Sequence, residues 1–270
     1  MYRVELAKAA HRWRTWLLAA ALGAIPIVMT IALKLSPPPA GVSEEGDGPP
    51  FLFQILENGL FVPLTALAVL QPLFLPLATG LFSGDAVAGE AQAGTLRYLL
   101  LRPVRRRRLV LAKYASTMTL LAVLVVVAIV CGLCAGALVF GLGPLPTLSG
   151  TTLSVGATLL RITAAGLYMV AALSGVASIG LFVSTRTDSG PGATVATIVA
   201  AIASQILDSI PSLDAIHPFL PTHGWLGFTD LFRFPVDWTA MRGGLLVSVA
   251  YTGVFLTLAL WGFSRRDVTS

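Results

Sequence analysis

Long charge-free intervals dominate this sequence and leave it few ways to fold. Six of them run between Arg14 and Lys34, Glu57 and Asp85, Lys113 and Arg161, Arg161 and Arg186, Asp188 and Asp208, and Arg242 and Arg265. A bilayer core takes about 20 apolar residues of α-helix, so each interval has room for a span. Only 11% of the residues are charged against 56% hydrophobic, whereas a soluble domain carries about 25% charged residues. In lipid, every main-chain N–H must find its acceptor within the protein, which selects helices over irregular chain. The pattern predicts an all-α membrane protein with six transmembrane helices near residues 16–33, 58–83, 114–140, 158–184, 190–208 and 243–263. The third interval is long enough for two helices, but the glycines and prolines of 141–146 and the Ser/Thr/Gly run to Gly156 end it after one.

Basic residues favour the cytoplasmic side of such spans. Alternating sides from an internal N-terminus leaves 14 of the 18 Lys and Arg inside: four before residue 16, seven from 84 to 113, and Arg186, Arg265 and Arg266. Lys34, Arg161, Arg233 and Arg242 fall outside, with eight acids. Both termini are therefore expected in the cytoplasm, and the whole chain of 270 residues as a single transmembrane domain in a plasma or inner membrane of bacterial type. The pI near 9.6 would suit nucleic acid, but the basic residues flank spans, where topology and contact with anionic membrane lipids explain them. No nucleic-acid partner is expected. The first interval exceeds the apolar core of a signal peptide, and Lys34-Leu-Ser-Pro is a poor cleavage site, so it reads as a retained helix.

Residues 1–15 place Tyr2, Leu6, Ala9 and Trp13 at helical spacing among Arg3, Lys8 and Arg12. They suit an interfacial helix lying under the membrane, or a basic flank with a tryptophan belt. Leu35 to Pro50 is an outer loop, rich in Pro, Gly and acid. Pro63, Pro72 and Pro76 each remove a donor from the second span and predict a kink. Cys131 and Cys134, the only cysteines, share a face of the third span, where Gly132-Leu-Cys-Ala-Gly136 offers a small-residue surface for a neighbouring helix. Too few ligands accompany them, or His217 and His223, to make a metal site.

The segment between the second and third spans, residues 84–113, is too ordered in sequence for a tether. Gly94 and Thr95 can open a short helix with the Thr95 hydroxyl as cap, and Pro103 forces Arg102 out of helical space and ends it. Leu96, Leu99 and Leu100 then form an apolar face on the cytoplasmic side, suited to a protein partner. Glu90, Gly94, Thr95, Leu96, Leu99, Leu100, Pro103, Val104, Arg105 and Lys113 reproduce a pattern of acid, three residues, Gly-Thr-Leu, a leucine pair, Pro-Val-Arg and a lysine opening the next helix. In this the chain resembles the ABC-2 family of ABC transporter permeases. The resemblance implies that residues 84–113 carry the coupling helix that docks on an ABC ATPase subunit, with Glu90, Gly94, Thr95, Leu96, Leu99, Leu100, Arg102, Pro103 and Arg105 as the coupling residues. It also implies a second permease copy or related chain as partner, and re-entrant helices in 211–241 that close the outer end of the pathway.

Energy supply gives a separate argument. A Walker A motif needs a Gly-Lys pair, yet Lys8, Lys34 and Lys113, the only lysines, follow Ala, Leu and Ala. Nucleotide is therefore handled in trans: the chain itself binds no cofactor, is not an enzyme, and meets ATP and Mg only through its ATPase. No ionisable residue lies near the middle of a predicted span, which disfavours the alternative of an ion-coupled secondary transporter or channel. Arg105–Arg108 reads as a positive-inside anchor or a docking surface, and Glu90 as an acid bracing the loop against its basic residues. Residues 211–241 hold Trp225, Phe228 and Phe232, the candidates for an outer gate. A pathway lined by Leu, Val, Ala and Phe suits export of a hydrophobic or amphipathic solute such as a drug, lipid or peptide.

Overall fold

The computed structural model describes residues 1–37, 51–94, 106–147 and 149–264. Eight α-helices carry the described fold: α1 (Tyr2–Ala10), α2 (Trp13–Leu35), α3 (Val62–Leu70), α4 (Phe74–Gln92), α5 (Arg106–Val139), α6 (Val155–Arg186), α7 (Gly190–Asp208) and α8 (Thr239–Ser264). Helices α2, α5, α6, α7 and α8 are each long and apolar enough to cross a membrane. The second predicted span is a bent pair: the stretch Gly59–Leu70, which includes α3, meets α4 at 59°.

Only one of the three prolines makes that bend. Pro63 sits in the first turn of α3, and Pro76 in the first turn of α4, where the missing N–H has no intrahelical partner to lose. Pro72 falls in the break itself, and its carbonyl accepts a hydrogen bond from Gln205 Nε2 of α7 at 3.0 Å. A side chain from the neighbouring helix thus satisfies the carbonyl at the break, as lipid requires.

Lipid tails are as apolar as leucine, so the helices associate by close packing rather than by escape from water. The small residues show where. A Cβ on Gly59 would lie 2.2 Å from the carbonyl oxygen of Gly136, and one on Gly132 would lie 3.0 Å from Pro63. The small-residue face of α5 therefore takes the start of the bent pair directly against its backbone. On the other side, a Cβ on Gly84 of α4 would lie 2.6 Å from the Thr194 amide of α7. Helix α6 is the axis of the bundle: 61% of its most apolar window is buried, against 11% for α8.

Local signals set the ends. Ser154 accepts from the Ala157 amide at 3.3 Å and Ser189 from Gly192 at 3.1 Å, capping α6 and α7. Asp237 accepts the Thr239 amide at 2.9 Å, and hydrogen bonding from Thr239 holds its carboxyl below the usual range. Between α5 and α6, Leu145–Pro146 pairs antiparallel with Thr152–Leu153, a short hairpin absent from the all-α expectation. Two segments of 3-10 helix, Pro211–Phe219 and Trp225–Phe232, fill the stretch between α7 and α8. Both segments are wound more tightly than α-helix.

Candidate functional site

The loop that carries the motif leaves α4 at Gln92 and enters α5 at Arg106, and its base is a cluster of charges. Lys113, two turns into α5, is 2% exposed, with its Nζ 2.7 Å from Glu90 Oε2 on α4 and 3.0 Å from Glu5 Oε2 on α1. Lys8 stands 3.2 Å from Glu90 and 3.6 Å from Glu5. Beside them Arg12 reaches Asp85 of α4 at 2.7 Å. A buried ammonium is tolerated here because two carboxylates share it, and each carboxylate is in turn shared with Lys8. The cluster ties α1, α4 and α5 together at one end of the bundle.

Among the described residues, Glu90 pairs with Lys113, one of the basic residues of 84–113, and with Lys8 of α1. Arg106, the first residue of α5, donates to the carbonyls of Phe263 and Ser264 at 3.3 Å, tying α5 to the end of α8. The N-terminal segment is helical over Tyr2–Ala10, and its role is legible in Glu5, which turns inward while Val4 and Trp13 stay exposed.

The last turns of α4 are also tied sideways. The amides of Val87 and Ala88 both donate to Ser184 Oγ of α6 at 2.9 Å, and Gln92 Oε1 accepts from the Gly190 amide, the first residue of α7, at 3.1 Å. Nothing in the sequence singles out Ser184, since a serine in an apolar span reads as a small packing residue. Glu5 had a weak signal, as the one acid in a basic N-terminal segment.

At the opposite end, Trp225, Phe228 and Phe232 are buried, 1% exposed or less. Phe232 meets Phe51 edge-on at 5.8 Å, and the Trp225 indole N–H finds no acceptor among the described residues. The exposed aromatics of this region are Phe219, Phe234 and Trp238. A cavity of about 430 Å³ lies between the 3-10 segments and α8, with Gly224, Gly227, Asp230, Gly243 and Gly244 in its wall. That volume is within the usual range for small-molecule pockets. Tyr168 of α6 donates its hydroxyl to the Gly224 carbonyl. Asp208 lies 2.6 Å from His223, while Asp214 is 3.4 Å from His217.

Among the described residues no group of three or more His, Cys, Asp or Glu side chains gathers as a metal site would require. Of the motif residues, Glu90 is buried in the charge cluster and Gly94 follows α4 in the left-handed region at φ +65°, which suits the sharp exit that glycine permits. Thr95, Leu96, Leu99, Leu100, Arg102, Pro103 and Arg105 lie outside the described residues, as does the outer loop from 38 to 50.

A family model described as ABC-2 family transporter protein matches residues 4–268, nearly the full length. No curated protein matches the chain.

Proposed function

The chain belongs to the ABC-2 family of transporter proteins, and from that premise we propose that it is the membrane-spanning permease subunit of an ATP-driven exporter of hydrophobic or amphipathic solutes. The observation that carries the reading is the base of the motif loop. Lys113 and Glu90, which close that loop, form a buried ion pair, so a force applied to the loop reaches α4 and α5 together instead of being lost in a slack tether. ATP is hydrolysed by a separate ATPase docked on Leu96, Leu99 and Leu100, with the loop and both termini in the cytoplasm. Two permease chains, identical or related, enclose the pathway, and the cavity beside Gly224 and Gly244 is at its outer end.

Purification from native membranes followed by reconstitution tests this. The expected partner is a polypeptide with a Walker A motif, whose vanadate-sensitive ATP hydrolysis rises when the chain is present in liposomes. Flux of a hydrophobic dye by the chain alone, without ATP or partner, would replace this reading with that of a secondary transporter or channel.

A further inference from the structure

Helix α4, which leads into the motif loop, does not itself carry a push across the membrane. Helix α4 begins at Phe74, and beyond the break at Pro72 the chain turns by 59° into α3. A displacement of the loop end of α4 would be absorbed there, because kinks at proline are where helices give. Helices α5 and α6, in contrast, run unbroken over Arg106–Val139 and Val155–Arg186, and α6 is the one whose hydrogen bonds reach both α4 and the cavity wall.

The two ends of α6 hold the two sites. Near its loop end, Ser184 Oγ accepts from both Val87 and Ala88 at 2.9 Å, and Ser184 is wholly buried. Sixteen residues earlier, the Tyr168 hydroxyl, also buried, donates to the Gly224 carbonyl in the cavity wall. At 1.5 Å per residue that separation is about 24 Å. The fit at the far contact is close: a Cβ on Gly244 would come 2.5 Å from the Tyr168 oxygen, and one on Gly227 3.0 Å. Gly180, between the two contacts, lies so near Ser83 that a Cβ there would be 2.0 Å from the Ser83 hydroxyl. Helix α6 is thus clamped to α4 at one end and keyed into the cavity wall at the other.

We infer that α6 is the rod that transmits movement of the motif loop to the far cavity, with Ser184 and Tyr168 as the positioning residues at its two ends. The inference rests on the ATP-driven reading above. Ser184 fixes the input, since two successive main-chain amides on one hydroxyl hold α4 in register with α6. Tyr168 fixes the output, since its hydroxyl grips the main chain between the two 3-10 segments.

The test uses the complex purified with its ATPase, with Cys131→Ala and Cys134→Ala and one reporter, Leu226→Cys, in the cavity wall. The rate of labelling by a membrane-impermeant maleimide is read with and without ATP plus vanadate. Ser184→Ala and Tyr168→Phe are each expected to shrink the nucleotide-dependent change in rate by about three- to tenfold, within the range seen for mutations along a coupling path. As both act on one rod, the double variant should fall no further than the more affected single. Ser248→Ala is the control: Ser248 is buried and donates to Ala172 of the same α6 at 3.1 Å, but from α8. It should lower thermal stability comparably and leave the labelling response intact. An equal loss in Ser248→Ala, multiplicative losses in the double variant, or a full response in both single variants would overturn the rod. No nucleotide response in the unsubstituted reporter would instead overturn the ATP-driven reading on which it rests.

Discussion

Lys113 Nζ lies 2.7 Å from Glu90 Oε2, and both side chains are more than nine-tenths buried. The pair joins the helix that enters the motif loop to the helix that leaves it, and Glu5 brings α1 onto the same ammonium at 3.0 Å. Three elements are therefore held by one cation at the mouth of a segment expected to bear force.

Removing that cation should be costly. Breaking a buried ion pair from one side costs about 3–5 kcal/mol, because the remaining charge is left without compensation. Lys113→Met leaves Glu90 and Glu5 with only the exposed Lys8 and should lower the unfolding midpoint in detergent clearly. Lys8→Met should cost about 1 kcal/mol or less, as its side chain is 43% exposed and water screens it. Equal losses in the two variants would mean that burial does not distinguish them.

Glu90→Ala should separate assembly from coupling. Lys113 keeps Glu5, so the fold survives, but the ion pair between α4 and α5 is lost. ATPase co-purification is expected to stay near the unsubstituted level while solute moved per ATP hydrolysed falls. Loss of the partner itself would make Glu90 part of the docking surface.

The spans were legible because lipid accepts so little charge: a long apolar helix or the bent pair covers each interval between charged residues, although Arg161, read as a boundary, lies inside α6. The break at Pro72 was legible as a kink, but not its location, since Pro63 and Pro76 look identical in sequence and are harmless only because they fall in first turns. The small-residue face of α5 was readable for the same reason that it works, close approach without a Cβ. Ser184 and Tyr168 were not readable. Their partners are 56 residues or more away, and a hydroxyl in an apolar helix gives no sign of whether it bonds its own turn or another helix.

The expected sidedness rests on the count that puts 14 of the 18 basic residues inside and can be tested by labelling. Glu45→Cys should react with an impermeant maleimide in intact cells, and a cysteine at Arg107 only after permeabilisation. The reverse pattern would place the motif loop outside and remove ATPase docking from consideration.

Trp225 should report packing more than gating. It is 1% exposed, so Trp225→Ala is expected to cost about 3–5 kcal/mol through the cavity it leaves. Trp225→Phe should cost much less, as the indole N–H finds no acceptor among the described residues and its loss forfeits no bond. Export that fails in Trp225→Phe at normal thermal stability would restore a direct role in solute release.

The sharpest test of the docking assignment is Leu100→Asp. Leucines 96, 99 and 100 would share one face of the short helix expected between Thr95 and Pro103, and burying one leucine against a partner is worth about 1.5–3 kcal/mol. A carboxylate in that place forfeits the burial and adds a desolvation cost, so association with the ATPase should weaken at least about tenfold. If that face is reserved for a partner, the same change should leave the unfolding midpoint of the isolated chain unaltered. Arg105→Ala supplies the contrast: a rim charge shifts the salt dependence of association more than its strength. Tenfold weaker docking with unchanged stability is the expected result for Leu100→Asp. Full complex formation would mean that the ATPase binds elsewhere and that the leucines serve the membrane surface.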